Sequence, residues 1–162
     1  MQLKGVFPAM ATPLTPEEKI DQASLKKLVH YLIDGGIHGI VALGSTGEFP
    51  AMNESMRQQV METTLAEVNG KVPVLIGCGE PGTQRTVEQV KLAGQTKAAA
   101  VLVAVPYYFN MDQPAVIRHY QTVADASSLP VVIYNFPQMT KVAFTADTVA
   151  KLAEHPNIIG IK

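Results

Sequence analysis

The chain has 162 residues, with 47% hydrophobic and 17% charged residues and a formal net charge of -1. That balance fits a single globular domain, is too apolar for disorder, and with no basic block argues against a nucleic-acid partner. Cys78 is the one cysteine, which rules out an internal disulfide or a cysteine metal cluster and fits a reducing compartment. No apolar run reaches membrane-spanning length. Met1 to Gly5 carries charge without an apolar stretch behind it, so no signal peptide is read and a soluble, cytoplasmic protein is expected.

Gly5 to Ala11 reads as a first strand closed by Thr12-Pro13, although Pro8 cannot donate a ladder hydrogen bond. Asp21 is placed to cap a helix running to Asp34, with Leu25, Leu28, Val29, Leu32 and Ile33 on one face. Gly39 to Leu43 is a second strand, followed at once by Gly44-Ser45-Thr46-Gly47-Glu48. Asn53 caps a second helix that ends at Asn69-Gly70. Pro73 to Gly77 is a third strand, and Thr83 starts a third helix. Ala99 to Val105 is a fourth strand, ended by Pro106-Tyr107-Tyr108. A fourth helix covers Gln113 to Ala126, and Val131 to Tyr134 is a fifth strand that exits through Asn135-Phe136-Pro137. A fifth helix runs from near Thr145 to near Glu154. Ile158 to Ile161 is a sixth, buried strand with Lys162 at its C-terminal end.

Strand and helix alternate at a period of roughly thirty residues, the signature of βα units and a parallel sheet. The strands are continuous apolar runs, as expected of strands covered on both faces. The class is therefore α/β. A closed (β/α)8 barrel and an open doubly wound sheet both give this pattern, but no Gly-x-Gly-x-x-Gly opens the first βα turn, so a dinucleotide site has no support. A (β/α)8 barrel typically needs about 250 residues. The chain is read as a single barrel domain over residues 1–162, supplying about the first six strands of a longer polypeptide.

Barrel chemistry sits at the C-terminal strand ends. Here those ends offer Thr12, Ser45 and Thr46, Gly77, Tyr107 and Tyr108, Tyr134, and Lys162. An amine, phenols and hydroxyls converge, with no acidic pair and no histidine. His30, His38, His119 and His155 are scattered without ligand spacing and read as structural. Gly44 to Gly47 is either a tight turn or an anion cradle whose glycines admit close backbone approach while Ser45 and Thr46 donate to a carboxylate. Tyr107, Tyr108 and Tyr134 are either packing groups or proton carriers. Cys78 reads as a small hydrophobe, and Glu48 as a cap or a site acid. A lysine at the mouth of an apolar strand is expected to be partly desolvated, which favours the nucleophilic amine.

Four motifs in register carry a resemblance: Gly44-Ser45-Thr46-Gly47-Glu48, Pro106-Tyr107-Tyr108, Tyr134-Asn135-Phe136-Pro137 and Gly160-Ile161-Lys162. Together with the opening Gly5-Val6 to Thr12-Pro13 stretch, they resemble the dihydrodipicolinate synthase / N-acetylneuraminate lyase family. The resemblance covers the whole chain, which corresponds to the first half or more of a family member. It implies a (β/α)8 barrel and a class I, Schiff-base lyase that needs no cofactor and no metal. It implies that Lys162 forms an imine with pyruvate or another 2-oxo acid and that Tyr134 relays protons. It further implies that Ser45, Thr46 and Gly47 hold the 2-oxo acid carboxylate. Tyr108 resembles a tyrosine lent across a subunit interface, which implies a homo-oligomer, a dimer or tetramer. The partners implied are pyruvate and an aldehyde.

One position departs from the pattern. Family synthases acting on aspartate semialdehyde place an arginine five residues after the motif tyrosine, where this chain has Met139. A thioether cannot pair with a carboxylate. The resemblance is thereby drawn toward the 2-keto-3-deoxy-sugar-acid aldolases, with dihydrodipicolinate synthesis and a non-catalytic barrel fragment as alternatives. Lys141, where most of the family has glycine, reads as a solvated lysine.

Overall fold

A computed structural model describes residues 3–162. Met1 and Gln2, part of the segment read above for a signal peptide, lie outside the described residues. The chain folds into two units, Met1–Gly77 and Cys78–Lys162.

In the first unit, α1 (Gln22–Asp34) starts where Asp21 accepts a hydrogen bond from the Ser24 backbone N–H at 3.0 Å. The Ser24 hydroxyl donates to the same carboxylate at 2.6 Å, and this bond holds the Asp21 carboxyl below its usual range. Strand β1 (Ile40–Ala42) is buried at all three positions. A single 3₁₀ turn, Phe49–Ala51, precedes α2 (Glu54–Val68), whose Asn53 cap accepts from Met56 N–H at 2.9 Å. Asn69 ends α2 in the left-handed conformation, a role its short polar side chain tolerates. The two helices pack side by side, and Glu67 ties them by accepting from Lys26 and His30 at 2.9 and 2.8 Å. Strand β2 (Val74–Cys78) runs parallel to β1, with Ile40, Val41 and Ala42 opposite Val74, Leu75 and Ile76. At Gly77 a Cβ would fall 1.9 Å from the Leu43 carbonyl oxygen, so only glycine fits there.

The expected first strand is reduced to one parallel bridge, Ala9 opposite Val41. Val41 N–H donates to the Pro8 carbonyl at 3.0 Å and Met10 N–H to the Val41 carbonyl at 2.9 Å. The ladder stops on its N-terminal side because Pro8 has no N–H to extend it. Among the described residues, five strands and this parallel bridge therefore stand where six strands are expected.

In the second unit, α3 (Thr83–Ala93), β3 (Ala100–Ala104), α4 (Gln113–Ala126) and β4 (Val131–Tyr134) follow the expected order. A one-turn helix α5 (Pro137–Thr140), α6 (Ala146–Ala153) and β5 (Ile158–Ile161) complete it. The strands are parallel in the order β3-β4-β5, with Val103 opposite Ile133 and Ile133 opposite Ile161. β3 is buried throughout. Tyr120 of α4, fully buried, donates its hydroxyl to the Val103 carbonyl at 2.7 Å, and burial pushes its phenol upward. Next to it, His119 is buried with its Nδ1 2.9 Å from the Thr83 hydroxyl, and burial lowers it from 6.5 to about 4. The Asn157 amide donates to the Ala124, Ser127 and Leu129 carbonyls, fastening the start of β5 to the α4–β4 connection. Cys78, at the end of β2, is buried. No helix among the described residues is long and apolar enough to cross a membrane.

The sixth strand of the sequence reading, β5, departs from expectation. Only Ile158 is buried, and Ile159, Gly160, Ile161 and Lys162 are exposed. Its pairing runs to β4, and one neighbour covers one edge of a strand and neither face.

Candidate active site

In the first unit the Gly44–Glu48 stretch forms two overlapping turns. Gly47 N–H donates to the Gly44 carbonyl and Glu48 N–H to the Ser45 carbonyl, both at 3.0 Å. Two non-glycine residues in the left-handed region bracket it, Leu43 at φ 58° and Glu48 at φ 57°. Such backbone is costly and persists where the surroundings enforce it. Gly44 and Gly47 are buried, Ser45 is half-buried and Thr46 is exposed. The turn thus seats its glycines inward and leaves the Ser45 and Thr46 side chains nearer the surface. Thr12 donates its hydroxyl to the Gly47 carbonyl at 2.8 Å.

In the second unit the structure brings Lys162 and Tyr134 together. Lys162 N–H donates to the Ile133 carbonyl at 2.8 Å, and Asn135 N–H donates to the Lys162 carbonyl at 3.0 Å. The ladder therefore fixes the lysine backbone at the C-terminal end of β5, beside the end of β4. The amine lies 4.6 Å from the centre of the Tyr134 ring, within cation–π range. Tyr134 packs in turn against Phe136, ring centres 5.7 Å apart. Lys162 is exposed, which corrects the expectation of a desolvated amine; the cause is the open face of β5 described above.

Tyr108 lies past the end of β3. It is 86% exposed, sits at φ 85°, and meets Phe109 edge-on at 4.9 Å. Two adjacent exposed aromatics, Tyr108 on strained backbone, are poorly explained by packing within one chain. Met139 lies on α5, also exposed. Lys141 caps that turn in the left-handed region and folds its amine back onto the Gln138 carbonyl at 2.8 Å.

Two contacts escaped the sequence reading. Thr12 was legible as a strand-end hydroxyl, but its bond to Gly47 spans 35 residues and has no local signal. Glu80, just past β2, is buried; Gln89 donates to it at 2.7 Å and accepts from Gly79 N–H at 2.9 Å. Among the described residues, no group of three or more His, Cys, Asp or Glu side chains is placed to hold a metal ion.

The chain is 40% identical over 162 residues to a 4-hydroxy-tetrahydrodipicolinate synthase of Stenotrophomonas maltophilia (strain R551-3), covering 100% of this chain and 54% of that relative. Among solved structures, the dihydrodipicolinate synthase of Acinetobacter baumannii in complex with pyruvate is 36% identical. It superposes with a TM-score of 0.97 over 99% of this chain and 55% of that one. YagE, a prophage protein from E. coli K12 also solved with pyruvate, is 36% identical with a TM-score of 0.94, over 98% of this chain and 53% of that one. The chain thus spans about half the length of the relatives it matches, and its fold is that of the N-terminal part of a (β/α)8 barrel. The family model for the dihydrodipicolinate synthetase family matches residues 2–162, and the chain belongs to that family.

Proposed function

We propose that the protein is a class I lyase that makes or breaks a carbon–carbon bond next to pyruvate through a Schiff base on Lys162. The observation that carries this is the amine held at the end of β5, 4.6 Å from the Tyr134 ring. The Lys162 amine adds to the keto carbon of pyruvate, and the carbinolamine loses water to give a cationic imine. That imine is the electron sink for loss of a methyl proton, and the resulting enamine attacks an aldehyde carbon. Water then releases the product and restores the amine. Tyr134 carries protons to the carbinolamine and the aldol oxygen, a task suited to a weak acid on a rigid ring. Ser45, Thr46 and Gly47 hold the pyruvate carboxylate, and Tyr108 crosses to a second subunit of a homo-oligomer. The protein works in the cytoplasm, and residues 1–162 form part of one barrel domain.

For the second substrate, the relatives' names support 4-hydroxy-tetrahydrodipicolinate synthesis, and through it aspartate semialdehyde as the aldehyde, better than a sugar-derived 2-oxo acid. Met139 favours the second reading, a sugar-acid aldolase, because it offers no charge to a substrate carboxylate. Borohydride trapping with pyruvate tests the shared chemistry: one pyruvate-derived mass on the peptide containing Lys162 is expected, and a label on another lysine overturns the assignment. Steady-state rates with aspartate semialdehyde and with glyceraldehyde then separate the two readings. A charged hydrogen bond to a carboxylate contributes about 1.5–3 kcal/mol. If Met139 governs the choice, Met139→Arg therefore raises kcat/KM for aspartate semialdehyde roughly tenfold or more.

A further inference from the structure

We infer that Thr12 is a positioning residue for the carboxylate cradle, an inference that rests on the pyruvate reading above. An anion held by a turn is held by the direction of its peptide planes, so whatever fixes those planes sets affinity. The turn's own bonds use the Gly44 and Ser45 carbonyls and leave the Gly47 carbonyl to be oriented from elsewhere. Thr12 does this from outside the turn, donating to it at 2.8 Å.

Close packing enforces the same seat. A Cβ on Gly47 would stand 3.0 Å from the Met10 carbonyl oxygen and 3.3 Å from the Thr12 hydroxyl oxygen, so the turn lies directly on the Met10–Thr12 backbone. That backbone is fixed on both sides of Thr12. Met10 N–H donates to the Val41 carbonyl at 2.9 Å, and Asp21 N–H donates to the Pro13 carbonyl at 3.0 Å. The anchor is therefore rigid, whereas the turn it holds is bracketed by strained residues at Leu43 and Glu48. Without the tether, the Thr46–Gly47 and Gly47–Glu48 peptides are free to rotate toward relaxed geometry. The cost falls on the carboxylate end of the substrate and leaves the amine chemistry of Lys162 in place.

The experiment measures borohydride trapping on the full-length protein as a function of ketone concentration, with pyruvate and with acetone, which lacks the carboxylate. Thr12→Val keeps the side-chain shape and removes the donor, while Thr12→Ser keeps the donor. The valine variant is expected to need roughly threefold to tenfold more pyruvate for half-maximal trapping, the scale of one hydrogen bond. Its trapping rate at saturating pyruvate and its response to acetone stay as in the unsubstituted protein, and the serine variant restores the pyruvate response. Should the valine variant not fold, Thr12→Ala carries the same test. Equal pyruvate curves for the variant and the unsubstituted protein overturn the proposal alone. Equal losses for pyruvate and acetone also overturn it, because they mark general damage. No pyruvate label on unsubstituted protein removes the Schiff-base reading, and the proposal with it.

Discussion

Ile133 of β4 and Ile161 of β5 are register partners, the same residue type near the same end of adjacent parallel strands. Ile133 is 1% exposed and Ile161 is 45% exposed. Nothing in their local sequence distinguishes them, since each sits in an apolar run that leads straight to a candidate catalytic residue, Tyr134 or Lys162. The difference lies in their neighbours. β4 has a strand on either side, β3 and β5, whereas β5 pairs with β4. An apolar run states a demand for cover, and the chain around it decides whether the demand is met.

The largest effects are expected where the two strands end. Lys162→Arg should abolish pyruvate-dependent turnover, because a guanidinium stays protonated and cannot attack a carbonyl. Tyr134→Phe should lower kcat by about 10²–10⁴ while pyruvate binding changes far less, the usual cost of losing a positioned proton carrier. Near-normal turnover in the phenylalanine variant would make Tyr134 a packing group for the Lys162 amine and nothing more.

Stability compares the strands directly. Ile133→Ala should cost about 2–5 kcal/mol, the range for emptying a well-packed site. Ile161→Ala in residues 1–162 should cost about 0.5 kcal/mol or less, as for a surface change. Denaturant unfolding measures both. Repeating the pair in full-length protein sharpens the contrast: an Ile161 cost rising to that of Ile133 would show that further chain covers β5.

A smaller effect tests the covered side by acid. His119 is lowered from 6.5 to about 4 by burial, so between those values the unfolded chain binds a proton that the folded chain refuses. Its contribution to stability is whole above pH 6.5, falls as the pH drops toward 4, and is flat below that. The full swing is at most about 3 kcal/mol. His119→Gln should flatten that part of the stability–pH curve, read from denaturant midpoints at several pH values.

Much of this arrangement was legible in the residues. Asp21 and Asn53 announce their helices because a cap is a contact over three residues. The strand-end order of Ser45, Tyr134 and Lys162 follows from the βα rhythm. Contacts at long range were not legible. The Thr12–Gly47 bond and the open face of β5 depend on which segments meet, and no local pattern encodes that. α5 was missed because a helix of one turn has no period to read, although Pro137 at its first position is a start signal. The first strand shrank to a bridge through Pro8, a residue whose effect was foreseeable in kind but not in extent.

Cys78 gives the molecule an internal clock. It is the one cysteine in the sequence, and the residue is 3% exposed at the end of β2. A thiol reagent can reach it only during excursions that loosen the strand end, so its alkylation rate under native conditions counts those excursions. At low reagent concentration the rate reports the free energy of opening; at high concentration it levels off at the opening rate itself. Mass spectrometry of one peptide therefore yields both the depth and the frequency of local opening, without denaturant and without an introduced label.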